Sequence, residues 1–206
     1  MKFSSLDWVK TRRVWALLCL PLMLLGLAST ASAAEIQSLE VTRSGARYHV
    51  EMEVKLQALS AASYSVFVMP GNLPKINPAV RQVQVIAQDA DDLARIYTEL
   101  RVCALLYCKT LHQMQDMRYT PRPDGGDLHA DVLPAQSDFS YGRADWRFRG
   151  AGATTHLHFS AELEPAFWVP PLVGPWLVER SLREEAERTS AGIERLAAVV
   201  APGAAR

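Results

Sequence analysis

Residues 154–200 read TTHLHFSAELEPAFWVPPLVGPWLVERSLREEAERTSAGIERLAAVV, and the change of period inside this stretch decides the fold. At its start Thr155, Leu157, Phe159, Ala161 and Leu163 alternate with His156, His158, Ser160 and Glu162. That period of two belongs to a strand with one buried face. At its end Leu182, Ala186, Thr189, Ile193, Leu196, Ala197 and Val200 recur at steps of three and four against a charged background. This is one apolar stripe on a helix of about 25 residues; Gly192 in its middle lowers the propensity, and Pro202-Gly203 closes it. Between strand and helix lies Glu164–Trp176, with four prolines, two tryptophans and a phenylalanine. Pro165 ends the strand because proline cannot donate to a ladder. Pro170 and Pro171 bias their neighbours against helix, and Pro175 is tolerated in a first turn. The helix is therefore expected to begin between Val173 and Trp176.

Upstream the strand signal dominates. In "EIQSLEVTRSGARYHVEMEVKL" two strands flank a turn at Ser44-Gly45, and Tyr48, Val50, Met52, Val54 and Leu56 form the apolar face of the second. "QALSAASYSVFVMP" suits a short helix ended at Pro70-Gly71, and "GNLPKINPAV" a turn or single helical turn. Strands follow at "VRQVQVIAQ" and "ARIYTELRVC", where Ile96, Thr98, Leu100 and Val102 share a face. "KTLHQMQDMRY" alternates more loosely, "TPRPDGGD" is a loop, and "LHADVLP" follows. In "FSYGRADWRFRG", Gly142, Ala144, Trp146 and Phe148 oppose Tyr141, Arg143, Asp145 and Arg147. Successive strands with short turns make an antiparallel meander. A long helix with an apolar stripe must bury it, and the concave face of that sheet is the available partner.

The first 33 residues read as a cleaved secretory signal. Lys2, Lys10, Arg12 and Arg13 precede an apolar run from Val14 to Ala28, and Ala31-Ser32-Ala33 carries the small residues of a cleavage site. The run of about 15 apolar residues is short for a bilayer span, which counts against a retained anchor. Leu18 before Cys19 counts against a lipoprotein, and Arg12-Arg13 leaves the export route open. Removing this segment takes four basic and one acidic residue from the 22 of each sign. A net charge of about −3 remains, without the basic footprint of a nucleic-acid binder. Residues 34–200 are long enough for one domain with a sizeable core, and 201–206 read as a flexible tail. Two cysteines remain, Cys103 and Cys108. In one straight strand they would lie about 16 Å apart on opposite faces; flanking a tight hairpin they would come within bonding distance.

No catalytic signature is present in the sequence. His156 and His158 have a spacing that could hold a metal with a third ligand, but they read more simply as exposed strand histidines. Asp138, Asp145, Glu162 and Glu164 have ordinary places as strand-end or outer-face charges; Arg101, Arg143 and Arg147 could point a guanidinium at a ligand head group, but alternation places them more naturally in solvent. "PDGGD" lacks the Lys and Ser/Thr of a phosphate loop. No serine occupies a nucleophile elbow, and the cysteines are not a Cys-x-x-Cys pair. Neither a catalytic residue, a metal nor a cofactor is assigned.

The serial order of these segments resembles the START-like (SRPBCC) helix-grip superfamily, nearest its polyketide cyclase/dehydrase and coenzyme-Q-binding-like branch. The resemblance runs from about Val50 to Leu196. It rests on the Val66-Phe67 helix end running into "NLPKINPAV", then "VRQVQVI", "ELRVCALLYCKTL", "DFSYGRADWRF", and "THLHFSAELEP" before the terminal helix. It implies an α+β fold over residues 34–200: a curved antiparallel sheet of six to seven strands around the C-terminal helix, with one or two short helices after the first long strand. It further implies a hairpin turn at Ala104–Tyr107, and with it a Cys103–Cys108 bridge. In such proteins the cavity between sheet and helix commonly holds a lipid, sterol, quinone or polyketide-like molecule.

The aromatic candidates for lining it are Tyr64, Phe67, Tyr107, Phe139, Trp146, Phe159, Phe167, Trp168 and Trp176. The expectation is an exported, periplasmic or secreted carrier of a hydrophobic small molecule, with the 164–176 segment read either as an ordinary cap over the open end of the core or as a rim suited to transient membrane contact. The alternatives are a cyclase- or dehydratase-like enzyme, or a protein-interaction module with a closed core.

Overall fold

Strand alternation and one long amphipathic helix produce the expected two layers. In the computed structural model the described residues are 34–90, 92–104, 107–169 and 174–200, all within the unit Ser32–Arg206. The expected signal segment and the 201–206 tail lie outside them.

The elements run β1 (Glu35–Ser44), β2 (Arg47–Leu56), α1 (Ser60–Phe67), a 3-10 turn at Pro70–Asn72 and α2 (Leu73–Ile76). Then come β3 (Val80–Ala90), β4 (Leu93–Ala104), β5 (Tyr107–Arg122) and β6 (Gly125–Val132), with a second 3-10 turn at Pro134–Gln136. β7 (Phe139–Ala151), β8 (Thr154–Pro165) and α3 (Gly174–Val200) complete the chain. The sheet has eight strands in the order β1-β2-β8-β7-β6-β5-β4-β3, one more than the upper expectation. β3 to β8 are a meander, and the β1–β2 hairpin docks on its last strand through β2–β8. The curved sheet wraps around α3, so the fold is the helix grip.

Two local features differ from the reading of the sequence. The predicted loop "TPRPDGGD" is mostly strand: Pro121 pairs with Gly126 and Arg122 with Gly125. Pairing of β5 to β4 ends at Arg118, so beyond it β5 has a partner on one side only, where proline is tolerated. The apolar stripe of α3 is also shorter than its pattern, because Val200 is exposed.

The Cys103–Cys108 disulfide is present, its cysteines directly opposite across the β4–β5 hairpin with Cα atoms 4.0 Å apart.

The grip is tightest at the C-terminal half of α3. Ile193 and Ala197 are buried in the same cluster as Val54, Leu56, Ile76, Ile96 and Phe148. Gly192 lies where a Cβ would overlap the Ile76 carbonyl, so the absence of a side chain lets α2 rest on α3. The helix-weakening residue in the sequence is a packing requirement in the fold. Asn77 fastens the same junction: its Nδ2 donates to Glu185 Oε2 at 2.7 Å and to Thr189 Oγ1 at 3.0 Å. Its Oδ1 accepts from the Ala79 N–H at 2.8 Å.

Gly192→Ala should therefore lower the unfolding free energy by about 1–3 kcal/mol, although alanine is the better helix former by about 1 kcal/mol. Urea unfolding of the two proteins measures the difference. Equal stability would mean that α2 does not rest on the helix.

Candidate ligand cavity

The inner face of the sheet is read off strand by strand. From β4 it receives Ile96, Thr98, Leu100 and Val102; from β5, Lys109, Leu111, Gln113, Gln115, Met117 and Tyr119. From β7 and β8 come Ala144, Trp146, Leu157, Phe159, Ala161 and Leu163. The N-terminal half of α3 stands off this wall, facing it with Leu177, Val178, Ser181, Leu182 and Glu185. The space between is a cavity of about 770 Å³, inside the range of small-molecule sites.

Six of the nine aromatic candidates line this cavity: Phe67, Phe139, Trp146, Phe159, Phe167 and Trp168. They are connected. Phe67 packs on Trp146 at 5.8 Å between ring centroids, and Trp146 on Phe159 at 5.2 Å. Tyr64 is not part of the lining. It packs edge-on against Phe148 at 5.9 Å, and its hydroxyl donates to the Asp127 carbonyl at 3.3 Å. Burial, with Asp127 nearby, pushes its phenol pKa up. Gly126 makes room for that ring, since a Cβ there would overlap it. Trp176, in the first turn of α3, is also outside the lining, half exposed with the Arg180 guanidinium 5.9 Å from its ring centroid. The Tyr107 side chain lies outside the described residues.

The corner between β8 and α3 forms one rim of the cavity. Phe167 turns inward, 6.5 Å from Phe139 between centroids, with the Lys109 ammonium 4.7 Å over its ring. Its neighbour Trp168 borders the cavity at its open edge and is 79% exposed. Adjacent residues of an extended chain face opposite ways, so one aromatic is buried as the other meets solvent. Residues 170–173 lie outside the described residues.

Several polar groups on the wall were not picked out from the sequence. Glu185 is the one carboxylate among the described lining residues, and no described histidine lines the cavity. It is held by Asn77 and by Arg188, whose Nη1 lies 2.5 Å from Oε1. Tyr48 is 2% exposed, and its hydroxyl has no hydrogen-bond partner among the described residues. Tyr119 is pushed up to about 12 by burial, with Tyr64 beside it adding to the shift. It is a neutral phenol at any ordinary pH. Gln113 and Gln115 occupy inner positions of β5, which explains the loose alternation of "KTLHQMQDMRY": polar residues sit where the period calls for apolar ones.

The described histidines and most other charges of the sheet lie on its outer face, with Lys109 and Arg143 among the cavity's lining residues. His158 Nδ1 is 2.8 Å from Glu53, and His129 lies between Asp145 at 2.8 Å and Asp131 at 3.0 Å. Among the described residues no group of three or more His, Cys, Asp or Glu side chains is placed to hold a metal ion.

No family model matches the sequence, and a comparison with curated proteins finds no match. Solved structures do match. The Zhui aromatase/cyclase from Streptomyces superposes with a TM-score of 0.60 over 75% of this chain and 96% of its own, at 13% identity. The chain has the START-type helix-grip fold. A START superfamily protein of Mycobacterium smegmatis aligns at TM-score 0.56 and 16% identity, over 72% of this chain and 98% of its own. A STAR-related lipid transfer protein fragment of Xanthomonas axonopodis gives 0.57 at 10% identity, over 75% and 98%. Enzymes and lipid-transfer proteins thus share this helix grip, and the fold by itself selects neither.

Packing and exposure predict contrasting costs along the wall. Phe148, fully buried against Phe67 and Tyr64, should cost about 3–5 kcal/mol when truncated to alanine. Trp168→Ala should change stability by no more than about 0.5 kcal/mol. Denaturant unfolding distinguishes these outcomes; a large loss at Trp168 would make it a core residue.

Proposed function

We propose that this protein is an exported carrier or sensor of a hydrophobic small molecule, held between the sheet and the N-terminal half of α3. The observation that carries the reading is the cavity of about 770 Å³, whose walls are mainly apolar and aromatic. Filling it with a ligand removes that apolar surface from water at about 25 cal/mol per Å². The signal-like leader and the disulfide support an oxidising compartment, the periplasm or the exterior.

Binding is favoured over catalysis by the character of the walls. General acid–base chemistry needs a group free to move a proton. Glu185, the carboxylate on the described lining, is engaged by Asn77 and Arg188, and Tyr119 holds its proton too tightly to act as a base near neutrality. The superposition with an aromatase/cyclase keeps catalysis as the competing class.

Loading takes place at the Phe167–Trp168 corner. Trp168 is apolar, amphipathic at its indole nitrogen and largely exposed, properties suited to a membrane interface. Among the described residues no helix is long and apolar enough to cross a membrane.

Gentle purification of the exported protein followed by lipid extraction and mass spectrometry should recover a hydrophobic ligand. An empty protein that takes up no fluorescent lipid, sterol or quinone probe saturably would end the carrier reading. In a loaded protein, Trp168→Ala should slow ligand exchange with vesicles several-fold, with folding intact.

A further inference from the structure

The ligand that suits this cavity is not a plain hydrocarbon. On the inner row of β5, Gln115, Met117 and Tyr119 bring together an amide, a thioether and a hydroxyl, and the atoms turned to the thioether are the amide Nε2–H and the hydroxyl O–H. Gln115 is 8% exposed, and its cross-strand partners are Ile96 and Val132. Among the described residues the one hydrogen bond of its side chain runs from Nε2 to the Met117 sulfur at 3.5 Å. The Tyr119 hydroxyl turns to the same sulfur, at 3.9 Å. A thioether is a weak acceptor, so the buried Gln115 amide and the half-buried Tyr119 hydroxyl share a partner that satisfies neither. All three residues line the cavity.

We propose that Gln115 and Tyr119 form a subsite for a neutral oxygen acceptor, the carbonyl of an otherwise apolar ligand. The inference rests on the carrier reading and names the class of molecule carried. A carbonyl oxygen has two lone pairs, one for the Gln115 Nε2–H and one for the Tyr119 O–H, and it displaces the sulfur from both. An alkane would leave both donors where they are. A carboxylate or phosphate calls for a cation beside it; of the two described lining cations, Lys109 lies six residues from Gln115 along β5, about 20 Å away at strand rise, and the Arg143 guanidinium is paired with the exposed Asp131. A neutral ketone, ester or quinone carbonyl matches what the wall offers.

The test compares two probes with the same number of heavy atoms, 2-undecanone and dodecane. Each displaces Nile red from the purified protein, from Gln115→Leu and from Tyr119→Phe. Taking the ratio of the two affinities within each protein, and then comparing proteins, cancels the different hydration of the probes. The ketone-over-alkane preference should fall about tenfold in Gln115→Leu, the size of one net hydrogen bond, and several-fold in Tyr119→Phe. Alkane affinity should hold or improve. Gln115→Leu should unfold at the same temperature or higher, since it removes an under-satisfied amide; Gln115→Met repeats the comparison if leucine does not fit. A preference equal within twofold in all the proteins, with alkane bound by each, overturns the subsite and leaves the carrier reading standing. If Nile red does not bind saturably to the wild-type protein, the carrier reading fails and the subsite with it.

Discussion

The constraint on which this structure depends is the mismatch between a curved eight-stranded sheet and a single helix. The concave face presents an apolar side chain at nearly every second residue of its inner strands, and α3 is the one long element available to cover them. It covers them unequally. Toward its C-terminal end, Gly192 meets the Ile76 backbone and Ile193 and Ala197 enter the core, so sheet and helix are in contact. Toward its N-terminal end larger side chains stand off the wall, and the concavity is left open. The cavity is a consequence of where the helix is anchored.

That anchoring has a chemical cost which the polar residues of the junction offset. Asn77 sits at the end of α2 with its amide satisfied by Glu185, Thr189 and the Ala79 N–H. Buried polar groups stabilise only when their partners are supplied. Tyr48 and the Gln115–Tyr119 row do not meet that standard within the described structure. Ser60 Oγ is also buried without a partner among the described residues, but away from the cavity; on the cavity wall such groups are places where an outside partner has something to contribute. In the proposed carrier, the aromatic cluster around Trp146 and Phe159 supplies bulk contact, and these few polar atoms supply selectivity.

The outer face follows different physics. Histidines, arginines and carboxylates alternate there in facing pairs such as His158 with Glu53 and Arg95 with Asp116. Pairs of this kind at solvent contribute little to stability individually. They keep the convex face wet, and so leave the concave face as the side on which apolar surface collects.

The element order, the antiparallel meander, the inner face of β4, β7 and β8 and the start of α3 were all legible in the sequence, because each is a local period. Of the six aromatic candidates on the cavity wall, alternation accounts for Trp146 and Phe159; Phe67 lies on α1, Phe167 and Trp168 lie beyond β8, and Phe139 precedes a register shift in β7. The resemblance to helix-grip proteins supplied the hairpin that pairs Cys103 with Cys108. What sequence could not supply depends on contacts between segments far apart in the chain. Gly192 read as a weakness until Ile76 was found against it. Tyr64 and Trp176 read like the other aromatics, yet one packs behind the wall against Phe148 and the other faces solvent beside Arg180. Gln113 and Gln115 read as noise in a period of two, and only the closed sheet turned them toward the cavity. Periodicity determines which face a residue occupies; the distance between faces, and hence whether a ligand fits, is decided by tertiary packing alone.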